Sequence, residues 1–173
     1  VLDMMIHDLD LLTMLVGNEL SDIYANAVSV MGEAEDMCNA RLEFPPGSDG
    51  LGCTANVTAS RLGLKTERKL RIISEDSYVS ADFVNKSVTM VRKIANEEQL
   101  LDLRTRLASG EDLSSIDYVE LVEVEEPHVG DEDALTMQAK DFLHSVRTGE
   151  KPYIDAEAGS MAIRTAERIM EKA

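Results

Sequence analysis

Hydrophobic residues recur at helical spacing over residues 2–16, and ionisable positions interrupt them. The run LDMMIHDLDLLTMLV is rich in Met, Ile and Leu, and the pair Gly17-Asn18 follows it as a stop signal. At about 100° per residue, Asp3, His7 and Asp10 fall within one wedge of about 60°. The pattern predicts a mostly buried helix with one narrow polar stripe. Because isolated buried carboxylates are costly, we expect this stripe to face paired partners or a wet cleft.

Alternation of apolar and polar positions then predicts a series of strands. It is clearest in MCNARLEF (37–44) and CTANVTAS (53–60), which the turn PPGSDG separates. Strands with such short links pair as antiparallel hairpins, because parallel pairs need long crossovers. Further strands are predicted in DIYANAVSVM, TERKLRIIS, SYVSADF, KSVTMVRKI and YVELVEVEE, which begin at residues 22, 66, 77, 86 and 118.

Three more helices are predicted after the first strands. One spans Glu97–Leu107 within a polar, acidic excursion, Asn96–Asp117. Asp155 caps the last helix, which extends through Ile169. The helix between them has an acidic first turn and ends at Gly149. Its apolar stripe is formed by Leu135, Ala139, Phe142, Leu143 and Val146.

This order of elements predicts an α+β fold in a single domain, residues 1–173. Strands grouped together with helices at both ends indicate an antiparallel-rich mixed sheet of about six to seven strands, covered on one face by helices. The other face is polar without being highly charged, so it is either a solvated surface or an interface between sheets of an oligomer. Its residues are Asn39, Arg41, Glu43, Thr54, Asn56 and Thr58.

Composition narrows the possible partners. Seventeen Lys and Arg against thirty-three Asp and Glu give a net charge of −16, which argues against nucleic acid and anionic membranes. No apolar run approaches the length of about 18 residues that a membrane span needs. We expect a cytoplasmic protein. Cys38 and Cys53 lie in predicted strands and are expected to be small core residues in a reducing compartment. Because the chain begins with Val and has its most informative motif in the first ten residues, we expect it to be part of a longer protein.

Three interpretations of the Asp3, His7 and Asp10 stripe compete. The first is a capping or solvated stripe, which the alignment of three ionisable groups on a buried helix weakens. The second is a metal site, but Asp3 and Asp10 stand about 10 Å apart along the axis, too far for one ion. The other histidines, His128 and His144, lie in distant elements. The third is acid–base chemistry, since His titrates near neutrality and neighbouring carboxylates can orient it or a substrate hydroxyl.

Four stretches in order resemble the Gfo/Idh/MocA family of oxidoreductases. The first, LDMMIHDLDLL, is similar to the D-x-x-x-H segment, often followed by D-x-D, that opens the family's C-terminal domain directly after a Rossmann half. The resemblance covers the chain apart from Asn96–Asp117. The other stretches are ANAVSVMGEAEDMCNARLEF, ASRLGLKTERKLRIIS and FLHSVRTGEKPYIDAEAGSMAIRTAERI.

The resemblance implies an NAD(P)-dependent enzyme that oxidises or reduces a sugar or cyclitol hydroxyl. By position, Asp3 and His7 correspond to the family's catalytic Asp and His, and this His usually accepts the hydroxyl proton. Asp10 is then a substrate-binding or orienting residue, and no metal is expected. NAD or NADP is bound mainly by the N-terminal Rossmann domain, whose Gly-rich loop and Lys from a Glu-Lys-Pro segment do not occur in these 173 residues.

The resemblance also bears on substrate and assembly. LDMMIHDLD, with ASR and ERKLRI, most resembles members that act on nucleotide sugars, such as UDP-N-acetylglucosamine 3-dehydrogenases. The open sheet face is the family's usual surface for association, so we expect a homodimer or homotetramer through it. The chain alone is expected to be inactive. The alternative is a catalytically silent oligomerisation module with the same fold.

Overall fold

Four helices and seven strands form the described part of the chain. The computed structural model describes residues 2–17, 19–48, 50–112, 114 and 117–173, so Asn18 of the predicted stop signal lies outside them. The α+β class predicted from the sequence is confirmed. In chain order the elements are α1 (Leu2–Val16), β1 (Asp22–Val28), β2 (Met37–Phe44), β3 (Cys53–Ser60), β4 (Lys69–Ile73), β5 (Ser77–Asp82), β6 (Ser87–Lys93), α2 (Glu97–Ala108), β7 (Val122–Glu125), α3 (Ala134–Thr148) and α4 (Ala156–Met170).

The strands form two antiparallel sheets, which corrects the prediction of one mixed sheet. One sheet has the order β1-β2-β3 and the other has the order β4-β5-β6-β7. The pairing is interrupted because residues 61–68, between β3 and β4, contain no strand. Contacts between residues accordingly divide the chain into a first unit, Val1–Leu64 with Asp133–Ala173, and a second unit, Lys65–Glu132.

The first unit has an apolar core between its sheet and two helices. α1 and α4 pack against each other and cover one face of β1, β2 and β3. Because side chains alternate along a strand, one row of β2 enters this core while Arg41 and its neighbours face away. Cys38 is buried as predicted, but Cys53 is exposed, because it begins β3 at the rim of the sheet. The largest fully buried side chains are Met5, Leu9, Leu42, Ile169 and Cys38.

α1 is buried along one row only, which corrects the prediction of a mostly buried helix. Met5 and Leu9, four residues apart, are 0% and 1% exposed and face the sheet. The helix is hydrophobic around most of its circumference, so spacing alone did not reveal which row would be covered. Met4, Met14 and Leu15 lie outside the covered row and are exposed, whereas Val16 lies in line with the covered row and is exposed because it ends the helix.

The apolar stripe predicted for α3 has the expected spacing, but it is not part of the core. Asp133 caps the N-terminus of the helix, and Gly149 ends it with a left-handed φ of 76°, as its sequence signals indicated. No residue of this helix is buried. Its exposed apolar side chains are Leu135, Met137, Phe142, Leu143 and Val146.

The second unit consists of the four-stranded sheet and α2. Asn96 and Gln99 form a reciprocal capping box at the start of α2. β5 is half-buried throughout, and none of the residues described between 65 and 132 is fully buried. Within the described ranges, every helix of the chain is too short or too polar to cross a lipid bilayer.

Candidate active site

The helix α1 brings the three predicted site residues onto one face. Asp3 and His7 are exposed and Asp10 is half-buried. Successive members are separated by about 6 Å and 4.5 Å along the helix axis. Among the described residues, no hydrogen bond or ion pair joins His7 to either carboxylate. The three side chains therefore share a face without forming a closed network.

This face points away from the sheet. At about 100° per residue, it lies roughly opposite the row of Met5 and Leu9 that packs into the core. Of the two settings expected for this stripe, paired partners or a wet cleft, Asp3 and His7 are open to solvent, and Asp10 lines a cleft. An imidazole in this position is accessible to a ligand that approaches from the outside of α1.

Asp10 lines a cleft beside the stripe. The cleft has a volume of about 300 Å³ and lies between the second half of α1 and the start of α4. This volume is at the lower end of the range for small-molecule sites. Its walls are formed by Asp10, Thr13 and Met14 on one side, and by Lys151, Pro152, Tyr153, Ile154, Asp155, Glu157 and Ala158 on the other.

An ion pair shapes the far wall of this cleft. Lys151 Nζ lies 2.5 Å from Asp155 Oδ2, and Asp155 also caps α4 by accepting from the backbone N–H of Ala158 at 2.9 Å. The hydrogen bond from Lys151, followed by that from Ala158, lowers the pKa of Asp155. The same contact raises the pKa of Lys151. Both groups are therefore charged at neutral pH.

Tyr153 lines the cleft and is held by two contacts. Its backbone N–H donates to Asp141 Oδ2 of α3 at 2.9 Å. Its hydroxyl lies 3.6 Å from the sulfur of Met14 on α1. The turn between α3 and α4 is thus attached to α3 and to α1, while Tyr153 as a residue remains 79% exposed.

A second charged pair lies where β2 begins and β3 ends. Asp36 is 4% exposed, and its carboxylate accepts from the backbone N–H groups of Val30 at 2.9 Å and Met31 at 2.7 Å. Arg61 Nε lies 3.7 Å from Asp36 Oδ1. The hydrogen bond from Met31, followed by that from Val30, lowers the pKa of Asp36, so the carboxylate is ionised at neutral pH.

The structure brings no metal-ligand cluster together in the part of the chain that it describes. There, no three His, Cys, Asp or Glu side chains converge as metal ligands. Asp3 and Asp10 are also too far apart along α1 to share one ion.

Four residues of these two sites were not predicted from the sequence: Lys151, Tyr153, Asp36 and Arg61. For the first two there was no signal, because the cleft depends on contacts between distant segments. For Asp36 and Arg61 the sequence does contain a signal. Period-two spacing continues the inward rows of β2 and β3 to residues 36 and 61, and an ionisable residue in such a row indicates a special environment.

Comparison with known proteins identifies the family. A family profile described as "Oxidoreductase family, C-terminal alpha/beta domain" matches residues 1–173. The chain belongs to the Gfo/Idh/MocA oxidoreductase family. The predicted resemblance is thereby confirmed, and the chain corresponds to the C-terminal domain of this family.

Individual relatives agree with this assignment. The UDP-N-acetylglucosamine 3-dehydrogenase of Acidithiobacillus ferrooxidans is 27% identical over 169 residues, which cover 98% of this chain and 47% of the relative. A solved structure of that enzyme, GnnA, has a TM-score of 0.74 at 26% identity and covers 98% of this chain and 45% of its own. Levoglucosan dehydrogenase in complex with NADH has a TM-score of 0.69 at 14% identity, covers 99% of this chain and 47% of its own, and shows the fold alone. The chain spans about half the length of the relatives it matches.

Proposed function

We propose that this chain is the substrate-side domain of an NAD(P)-dependent dehydrogenase that acts on a hydroxyl of a nucleotide sugar. The observation that carries the proposal is the outward face of α1, where Asp3, His7 and Asp10 are aligned and accessible beside a cleft. The 27% identical relative is a UDP-N-acetylglucosamine 3-dehydrogenase, which supports a nucleotide sugar as the substrate.

In this proposal, His7 is the acid–base group. Its imidazole accepts the proton of the reacting hydroxyl during oxidation and returns a proton during reduction. Asp3, one turn earlier, accepts a hydrogen bond from a substrate hydroxyl and orients it. Asp10, at the edge of the cleft, holds a further hydroxyl or the second ring nitrogen of His7. Successive groups are about 6 Å and 4.5 Å apart along α1, so neighbouring hydroxyls of one sugar can reach successive groups.

The cofactor belongs to another part of the protein. A dinucleotide site of the Rossmann type needs parallel strands and a Gly-rich turn before a helix. The strand pairings described in this chain are antiparallel, and the link from β6 to α2 is Ile94-Ala95-Asn96, without glycine. We therefore assign NAD or NADP to a domain outside this chain, and when bound the nicotinamide supplies the acceptor for the hydride.

We further propose that the open face of the first sheet is the surface of self-association. It presents Arg41 and Asn56, which lie opposite each other in the register, and Thr58, whose hydroxyl donates to Asn39 Oδ1 at 2.8 Å. A two-fold contact would place this patch against its own copy. Sedimentation of the natural protein should give a dimer or tetramer, whereas a monomer at high micromolar concentration would favour a solvated face.

The proposal is tested with the natural protein that contains this chain. UDP-N-acetylglucosamine and other UDP sugars should be oxidised with NAD⁺ or NADP⁺, without loss of rate in EDTA. Asp3→Asn should lower kcat and raise KM, because Asp3 contacts the substrate both before and during the reaction. A protein that binds no UDP sugar and oxidises none, yet assembles normally, would be the silent oligomerisation module instead.

A further inference from the structure

Arg61 continues the core-facing row of β3 beyond the end of the strand. Val57 and Ala59 of this row are buried under the helices, and Arg61 is two residues further along. Asp36 holds the equivalent place on β2, two residues before the buried Cys38. The backbone N–H of Arg61 donates to the carbonyl of Asp36 at 2.9 Å. Both side chains therefore lie on the helix-covered side of the sheet.

The helix α1 lies on the same side of the first sheet as Arg61. The second half of α1 packs at the opposite end of β2, because Leu9 and Leu12 line one small cavity with Leu42 and Phe44. From Leu12 back to Asp3, α1 extends about 13 Å, and the helix also contacts β3, the strand that Arg61 follows. Arg61 and α1 therefore lie on the same side of the first sheet, and the half of α1 that carries Asp3 and His7 is the half away from Leu42 and Phe44.

The guanidinium group of Arg61 is attracted to the charge of Asp36 without a hydrogen bond to it. The carboxylate of Asp36 already accepts two backbone N–H groups, and its distance of 3.7 Å to Arg61 Nε exceeds hydrogen-bonding range. Among the described residues, none accepts a hydrogen bond from the guanidinium group, whose side chain is 50% exposed. An arginine that served only to fasten this loop would use its donors on the loop.

We propose that Arg61 binds the phosphate groups of the nucleotide sugar while His7 and Asp3 engage its sugar ring. This inference rests on the proposed function. A guanidinium group presents a planar fork that matches two phosphate oxygens, and a buried carboxylate behind it restricts the arginine before the ligand arrives. In a chain of net charge −16, a localised cation is needed to hold a diphosphate.

The test compares Arg61→Ala, Arg61→Lys and a control, Arg164→Ala, in the natural protein. Arg164 is an exposed arginine of α4 in the same unit. Binding of UDP is measured by calorimetry, and KM and kcat are measured for UDP-N-acetylglucosamine. Arg61→Ala should weaken UDP binding and raise KM for the UDP sugar about 10- to 100-fold, with kcat changed less than about threefold. Arg61→Lys should lose part of this affinity, since Lys lacks the planar fork, and Arg164→Ala should match the parent.

Several outcomes would overturn the assignment. If both Arg61 variants bind UDP as the parent does, Arg61 only fastens its loop. If Arg61→Ala instead raises KM for NAD⁺ or NADP⁺, the phosphate that it contacts belongs to the cofactor. Thermal unfolding of each variant shows whether it is folded. If Arg61→Ala is not folded, Arg61→Lys, which retains the positive charge, decides the test.

The two proposals fail in distinguishable ways. A parent that binds UDP through Arg61 but oxidises no UDP sugar would contradict the proposed reaction and support the phosphate site. A parent that oxidises UDP sugars with a KM insensitive to Arg61 would contradict the phosphate site and support the reaction.

Discussion

The two units differ in how they bury their sheets. In the first unit, two helices cover one face of three strands, and Leu42 is 1% exposed. In the second unit, the strands are at most half-buried, and no described side chain of residues 65–132 is fully buried. The candidate site residues Asp3, His7 and Asp10 lie on a helix of the first unit. The proposed catalytic groups are thus carried by the unit with the larger apolar core, which is the better support for groups that need fixed distances.

The largest expected contrast comes from one substitution made in both units. Leu42→Ala should lower the free energy of unfolding by about 2–5 kcal/mol, because it leaves a cavity in a closed core. Leu70→Ala, at a half-buried position of β4, should cost about 1 kcal/mol or less. Urea unfolding followed by circular dichroism measures both losses. Equal losses would show that the second unit has a core of similar quality.

A smaller contrast is expected from two carboxylates that accept backbone hydrogen bonds. In the first unit, the backbone N–H groups of Met31 and Val30 donate to Asp36 and lower its pKa. In the second unit, the backbone N–H of Asn85 has the same effect on the pKa of Asp82. At pH 7, Asp36→Asn should lower Tm by roughly 3–6 °C and Asp82→Asn by about 1–2 °C, because Asp36 is the more deeply buried.

The sign of the pH dependence follows from the lowered pKa values. Each carboxylate stabilises the folded state at pH values above the ordinary Asp pKa of about 3.9, and the contribution is lost as the pH falls toward the lower folded-state value. The difference in Tm between the parent and Asp36→Asn should therefore shrink below about pH 4. A difference that grows on acidification would contradict this account of Asp36.

The smallest effect is expected on α3, which belongs to the first unit without adding to its core. Phe142 is 62% exposed, so Phe142→Ala in this 173-residue chain should change the free energy of unfolding by less than about 1 kcal/mol. Leu9→Ala, in the covered row of α1, is the matched core variant and should cost several times more. A loss near 3 kcal/mol for Phe142→Ala would mean that another surface covers the stripe of α3.

Local pattern predicted most of the elements. β2 and β3 have the predicted bounds, 37–44 and 53–60, because their side chains alternate without interruption. The last strand was predicted from residue 118, but it begins at Val122, since the chain turns between Tyr118 and Leu121. The division into two sheets was not predicted, because strand pairing depends on contacts that the order of segments does not specify.

The candidate site was predicted only in part, for the same reason. Helical spacing was sufficient to align Asp3, His7 and Asp10, but it did not reveal that this face points away from the sheet. The cleft at Lys151 and the pair formed by Asp36 and Arg61 each join segments that are distant in sequence. Their geometry emerges only when the chain is folded.

The central claim is that His7 is the acid–base group of a dehydrogenase, and the kinetics of His7→Asn test it most directly. A general base acts mainly in the transition state, so kcat for the UDP sugar should fall about 10²- to 10⁴-fold with KM changed less than about threefold. His144→Asn is the matched control, since this exposed histidine of α3 bonds to Glu150 at 2.8 Å, and it should retain the parent kcat. A His7→Asn protein that keeps most of its kcat would contradict the account.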